Sequence, residues 1–173
     1  ATAYVIMALR IGWFKVHRPI YYYAVYFSVR AKEFDAEIFA LGKNAIRNRI
    51  NEINEKIMTK TASTKEIDLV DELQIALEMH LRGYSIKQVD IEKSEAHDFV
   101  ISEDKKSLYL PFSAVDALGA AAAESVVEAR KERPFTSKKD VERRTKLNKT
   151  TFNKLLRLGV LDSLVDDESN SLL

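Results

Sequence analysis

Apolar positions crowd one side of the chain at helical spacing from Ala3 to Phe14, where Ala3, Met7, Ala8, Ile11 and Phe14 recur and Arg10 and Lys15 interrupt. Pro19 stops or bends that run, because proline removes a backbone donor and clashes with the preceding turn. The next stretch, Ile20 to Phe27, is β-branched and aromatic, so propensity alone predicts a strand. A helix carrying three neighbouring tyrosines is the competing reading, and periodicity does not decide so short a run. Ile46, Ile50, Ile53 and Ile57 then predict a helix over Lys43–Met58. Ser63 and Glu66 stand at capping-box spacing, where hydroxyl and carboxylate satisfy each other's backbone N–H groups. Behind them Leu69, Val70, Leu73, Ala76, Leu77, His80, Leu81 and Tyr84 mark one helical face, and Gly83 supplies a left-handed stop. Residues 59–65 read as the internal linker.

Between Ile86 and Phe112 the period shortens. Ile86–Ile91, Phe99–Ile101 and Leu108–Leu110 are expected as strands, the last two joined as a hairpin across Ser102–Ser107. After Pro111 the pattern is helical again in four pieces, 115–118, 120–131, 138–145 and 149–158, punctuated by Gly119, Pro134, Asn148 and Gly159. The expected fold is mainly α with a small β element.

Composition narrows the class. The chain has 173 residues, 46% of them hydrophobic and 31% charged, with a net charge of +1 and five glycines. Such a chain builds a core and is not wholly disordered. The absence of cysteine excludes disulfides and thiolate metal sites and fits a reducing cytoplasm. No apolar run reaches the roughly 20 residues that a bilayer requires. The opening, already inside an apolar helical pattern without a leading cap, reads as a piece of something longer whose first helix packs on missing structure.

A search for an active site finds little. The glycines stand far apart and the Lys-Thr pairs at 60–61 and 149–150 lack the glycines of a phosphate loop. His17, His80 and His97 are not at metal-ligand spacing, and His80, on an apolar face, is expected to be a hydrogen-bonded structural residue. Asp166, Asp167 and Glu168 read as a solvated acidic tail. No catalytic residue and no metal site is expected in this chain.

The informative stretch is 111–164. A short helix, a tight turn at Ala117, Leu118 and Gly119, and a second helix opening with Ala120 and Ala121 present backbone N–H groups at 118–121, with the helix dipole behind them. Eleven basic and four acidic residues lie between Glu128 and Arg157, a net +7 inside a chain of +1. Segregated charge of this kind points to a polyanion. Arg130, Lys138, Lys139, Arg143 and Lys149 are the side chains expected to contact it. Tight packing of an alanine-rich helix and a solvated charged face account for the same residues, and pattern alone does not separate the two. Gly119 has two readings as well: room for a phosphate oxygen, or a positive-φ junction between helices.

Three segments together resemble a family. Ala117-Leu-Gly119 with Ala123–Arg130, Pro134–Asp140, and Asn148–Leu164 is similar to the helix-hairpin-helix region of bacterial replicative DNA polymerase III α subunits. Ala3–Ile11, Phe14–Val16, Tyr21–Ala24, Tyr26–Ala31 and Phe34-Asp35 resemble the fingers region of the Gram-positive PolC type. The resemblance is collinear over essentially the whole chain. It implies that 20–27 is helical, that 1–64 are fingers-like helices, that 65–110 carry a helix and a small hairpin, and that 111–164 bind duplex DNA. It further implies that the catalytic aspartates and their Mg²⁺ lie upstream of these residues. The family commonly ends in a sliding-clamp peptide, Gln-Leu-Ser-Leu-Phe. The tail here, 165–173, keeps Ser171 and Leu172 and has Leu173 in place of the aromatic, so the motif is degenerate. The implied partners are template–primer duplex, the rest of the polymerase chain and, through Ser171, Leu172 and Leu173, the clamp, with no membrane. The rival classes are a stand-alone helix-hairpin-helix DNA-binding protein and a helical module that meets an acidic protein.

Overall fold

A computed structural model describes residues 2–30 and 36–167. It contains α1 (Thr2–His17), α2 (Pro19–Arg30), α3 (Ala36–Ala40), α4 (Lys43–Met58) and α5 (Thr64–Leu81). A three-stranded sheet of β1 (Ser85–Lys87), β2 (Val100–Ile101) and β3 (Ser107–Tyr109) follows, and then α6 (Ala120–Glu132), α7 (Lys138–Arg144) and α8 (Lys149–Arg157).

The aromatic run is helical, as the family resemblance implies and against its strand propensity. Ile20, Tyr23, Ala24 and Phe27 fall at i, i+3, i+4 and i+7 and are all buried, so one stripe of α2 satisfies the core. Pro19 sits at the first helical position, where its missing N–H costs nothing. Phe27 lies 5.5 Å from Phe99 and 6.4 Å from Phe39, ring centre to ring centre, which ties α2 to the sheet and to α3. Burial of each such side chain is worth about 1.5–3 kcal/mol, more than the few tenths by which propensity opposes it. α4 has the predicted bounds and buries Ile46, Ile50 and Ile53. Ser63 closes the capping box on Glu66, and Gly83 takes the left-handed conformation with φ of 87°.

α1 is different. None of its 16 residues is buried, and Leu9, Trp13 and Val16 are more than half exposed. Polar ties hold its C-terminal end. Lys15 donates to Glu78 at 2.8 Å, Tyr23 donates to the other Glu78 oxygen at 3.1 Å, and Arg82 donates to the Lys15 carbonyl at 2.9 Å. Burial pushes the Tyr23 phenol up to about 12, assisted by the Glu78 charge.

Two expectations fail at the edges of the sheet. The strand expected over Ile86–Ile91 stops at Lys87, because Asp90 turns the chain: its carboxylate accepts from the N–H groups of Glu92 and Lys93 at 2.8 and 3.0 Å. Val89 and Ile91 are nevertheless buried. The helix expected at 115–118 is replaced by a 3₁₀ turn over Phe112–Ala114, after which Leu118 N–H closes back on Val115 at 3.1 Å. β2 and β3 pair antiparallel as the expected hairpin, and β1 adds in parallel on the other side of β3. One cluster of buried side chains runs from Ile20 to Leu161, so α2–α5, the sheet and α6–α8 share a core.

Candidate nucleic-acid interface

The turn before α6 is built by contrast between its buried and open members. Leu118 is 5% exposed and anchors the turn in the core, and its N–H is already bonded to Val115. The expected set of donors at 118–121 therefore shortens to Gly119, Ala120 and Ala121, whose N–H groups have no acceptor among the described residues. Ala117, Gly119, Ala120 and Ala121 are all exposed, and none carries more than a methyl group. Ala117 takes the left-handed conformation, φ 64°, a region that costs a non-glycine residue about 1 kcal/mol or more. The strain lies there and not at Gly119, which has φ −68° and ψ 157°. The positive-φ reading of Gly119 is thus overturned. A Cβ at Gly119 meets nothing within 4 Å, so neither backbone conformation nor internal packing requires glycine.

Helix ends elsewhere in this region are closed by side chains. Ser137 caps α7 and Asn148 caps α8, but α6 has no side-chain cap and no acid in its first turn. Its 13 residues direct a dipole at an open, side-chain-free N-terminus. Asp116, just before the turn, is a carboxylate that would oppose an anion there. Lys154 of α8 sits 3.2 Å from that carboxylate and holds it below the usual aspartate range, which neutralises the obstacle and docks α8 against the turn.

The basic stretch divides sharply. Arg130 is only 14% exposed in its side chain and donates to the carbonyls of Ile91 and Ser94 and to the Glu95 carboxylate at 2.8–3.1 Å. It clamps the 90–95 loop to α6: three donated bonds are spent there and only 14% of the side chain is exposed, so the expected DNA contact has a structural role in this fold. Arg143 is drawn to Asp140 at 2.9 Å, together with Arg133 at 2.9 Å and Arg144 at 3.0 Å. Asp140 is 2% exposed. Burial pushes its carboxyl up, but the hydrogen bonds from Arg144 and Arg143 outweigh this and hold it below the ordinary aspartate value. Arg144 also donates to the Ala129 and Arg133 carbonyls at the end of α6 and lies 5.0 Å over the Phe135 ring.

Lys138 pairs with Asp166 at 2.8 Å and Lys139 pairs with Asp167, which raises the Lys139 ammonium above its ordinary value. Lys149 is exposed and without an ion-pair partner among the described residues, and the same holds for Lys146 and Arg157, which the site assignment omitted. The signal for Arg157 was legible: Lys149, Asn153 and Arg157 recur every four residues on the outer face of α8, opposite buried Thr151 and Leu155. His97 bonds Glu124 of α6 at 2.9 Å. His80, expected to be hydrogen-bonded, has its Nε2 buried without a hydrogen-bond partner among the described residues, and burial depresses its protonation. Ser171, Leu172 and Leu173 lie outside the described residues. No described helix is long and apolar enough to cross a membrane.

A helix-hairpin-helix motif model matches residues 83–171. The PolC-type DNA polymerase III of Latilactobacillus sakei subsp. sakei is 49% identical over 172 residues, and those of Lacticaseibacillus paracasei and Bacillus subtilis are each 46% identical over the same length. In each case 99% of this chain aligns, and it spans 12% of the relative's length. The motif covers just over half of the residues, and the turn at 117–121 lies within it; the chain belongs to the helix-hairpin-helix family and fits a segment of a PolC-type DNA polymerase III.

Proposed function

We propose that this chain grips the template–primer duplex of a PolC-type replicative DNA polymerase through its phosphate backbone, in the cytoplasm. The observation that carries the reading is the uncapped, side-chain-free N-terminus of α6 inside the helix-hairpin-helix region. A phosphate oxygen accepts from the N–H groups of Gly119, Ala120 and Ala121, and the helix dipole favours its charge. Lys149, with Lys146 and Arg157, supplies positive charge that is not already neutralised. Backbone donors carry no information about bases, so the grip is independent of sequence. Its contribution to catalysis is positioning: a duplex held in place presents its primer end in a fixed geometry. The carboxylates that bind Mg²⁺ and carry phosphoryl transfer belong to other parts of the polymerase, so this chain alone does not extend a primer.

Duplex binding followed by fluorescence anisotropy across a salt series tests the reading. The expected dissociation constant lies on the order of 10⁻⁴–10⁻⁶ M at physiological salt, with a slope of log K against log salt near −3 to −4, about 0.9 for each neutralised phosphate. A salt-insensitive affinity, or strong preference for one base sequence, overturns it.

A further inference from the structure

Lys138 and Lys139 are paired in strict register with the segment that follows α8. A parallel bridge joins Ser137 to Val165, and the Lys138 N–H donates to the Val165 carbonyl at 2.8 Å. That backbone contact sets successive aspartates opposite successive lysines: Asp166 on Lys138, Asp167 on Lys139. We propose that Asp166 and Asp167 occupy the places of DNA phosphates on Lys138 and Lys139, so that the 165–167 segment and the duplex compete for the same two ammonium groups. The inference rests on the duplex-binding reading above.

The chemistry suits competition. A carboxylate and a phosphate oxygen present the same acceptor to an ammonium, and lysine binds either as a point charge without the fixed fork of arginine. The pairs are also weak enough to be displaced. Each pair has one open member, Asp166 at 82% and Lys139 at 69% exposed, and one partly covered, Lys138 at 25% and Asp167 at 33%, and ion pairs that stay open to solvent on one side contribute about 1 kcal/mol or less. Asp140, by contrast, is buried among three arginines and is not displaceable without disrupting the fold. Among the described residues Asp140 is thus a fixed anion and Asp166 and Asp167 are exchangeable ones, while Lys139 also feels the charge of Glu142 on its own helix. By linkage, any partner that draws Asp166 and Asp167 off these lysines strengthens duplex binding, and duplex strengthens that partner's hold by the same factor.

Four versions of this 173-residue chain test this with a short blunt-ended DNA duplex as probe: wild type, Asp166→Asn with Asp167→Asn, Lys138→Gln with Lys139→Gln, and all four changes together. Removing the two carboxylates is expected to tighten duplex binding about three- to tenfold. The quadruple variant is expected to bind no better than the lysine variant. An unchanged affinity on removal of the carboxylates overturns the inference and leaves the duplex-binding reading standing. An equal gain in the lysine-neutral background also overturns it, because it reduces the effect to net charge. Absence of binding by the wild type and by the carboxylate-free protein alike, at low salt, removes both.

Discussion

The turn at 117–121 and the stretch from Arg130 to Arg144 stand at opposite ends of α6, and they treat their polar groups in opposite ways. At the turn the donors are backbone N–H groups, left open because Gly119, Ala120 and Ala121 have no side chain able to cap them. In the stretch the donors are guanidinium groups, far more strongly charged, yet they close on Asp140, Glu95 and main-chain carbonyls. Formal charge is a poor guide to which surface meets a polyanion. Arginine's planar fork is well suited to organising a core, and the donors spent on Asp140, Glu95 or a main-chain carbonyl are not offered to a phosphate.

The sharpest way to break this contrast is to remove the anion at its centre. Asp140→Ala leaves the covered Arg144 guanidinium facing an empty position, while the more exposed Arg133 and Arg143 turn to solvent, and is expected to cost about 2–3 kcal/mol, a fall of roughly 4–12 °C in the thermal midpoint. A midpoint within about 2 °C of wild type would make these arginines surface charge after all. The same group sets an acid limit. Its carboxyl is held below the ordinary aspartate value in the folded state, so its contribution is complete above about pH 3.9 and fades as pH falls through the lowered value. Thermal melts at falling pH are expected to show wild type losing more stability below that point than Asp140→Asn, which cannot titrate.

Gly119→Val probes the other end. The glycine has ordinary extended angles and open space where a Cβ would stand. Loss of stability is expected to stay within about 1 kcal/mol, the cost of a poorer helix start. Duplex affinity is expected to fall about tenfold, equivalent to about 1.4 kcal/mol, because the isopropyl group would stand in the way of the proposed phosphate contact. Paired melting and binding measurements decide: a fall in midpoint with affinity unchanged for the folded fraction would leave Gly119 structural.

A finer division follows within the basic residues. Lys149→Glu with Arg157→Glu is expected to weaken duplex binding severalfold for all sequences alike and to lower the salt slope by about 2. Arg130→Gln is expected to lower the melting midpoint and leave the salt slope unchanged. Equal slopes for the two proteins would show that engaged and open cations contribute alike. The smallest effect is reserved for a site remote from both regions. Ser63→Ala removes the cap of α5 and is expected to cost about 1 kcal/mol with duplex affinity unchanged, as measured by the same melts and titrations.

Local signals served well where partners lie close in sequence. The isoleucine spacing of α4, the capping box at Ser63 and Glu66 and the hairpin of β2 with β3 were all legible, since each depends on residues a few positions apart. α2 was ambiguous until its stripe of Ile20, Tyr23, Ala24 and Phe27 met Phe39 and Phe99, because burial from distant segments outweighed aromatic propensity. The roles of Arg130 and Lys138 were hidden for a similar reason. Their partners lie about 35–39 and 28 residues away, and nothing in the local pattern marks a cation as already engaged. The turn at 117–121 was legible in outline, but the bond from Leu118 to Val115 and the strained angle at Ala117 depend on a 3₁₀ closure that the alanine-rich pattern conceals.

The apolar sides of α1 have a colloidal consequence. Because none of its residues is buried and polar ties hold it at one end, its loss would remove no member of the cluster from Ile20 to Leu161. Its presence puts Tyr4, Leu9, Trp13 and Val16 against water, a contiguous greasy rod of the kind that drives association. For this chain in isolation, α1 governs how concentrated a solution stays clear, while the rest of the fold governs at what temperature it melts. Light scattering against concentration is expected to show self-association that Leu9→Lys with Trp13→Lys abolishes, at an unchanged melting midpoint.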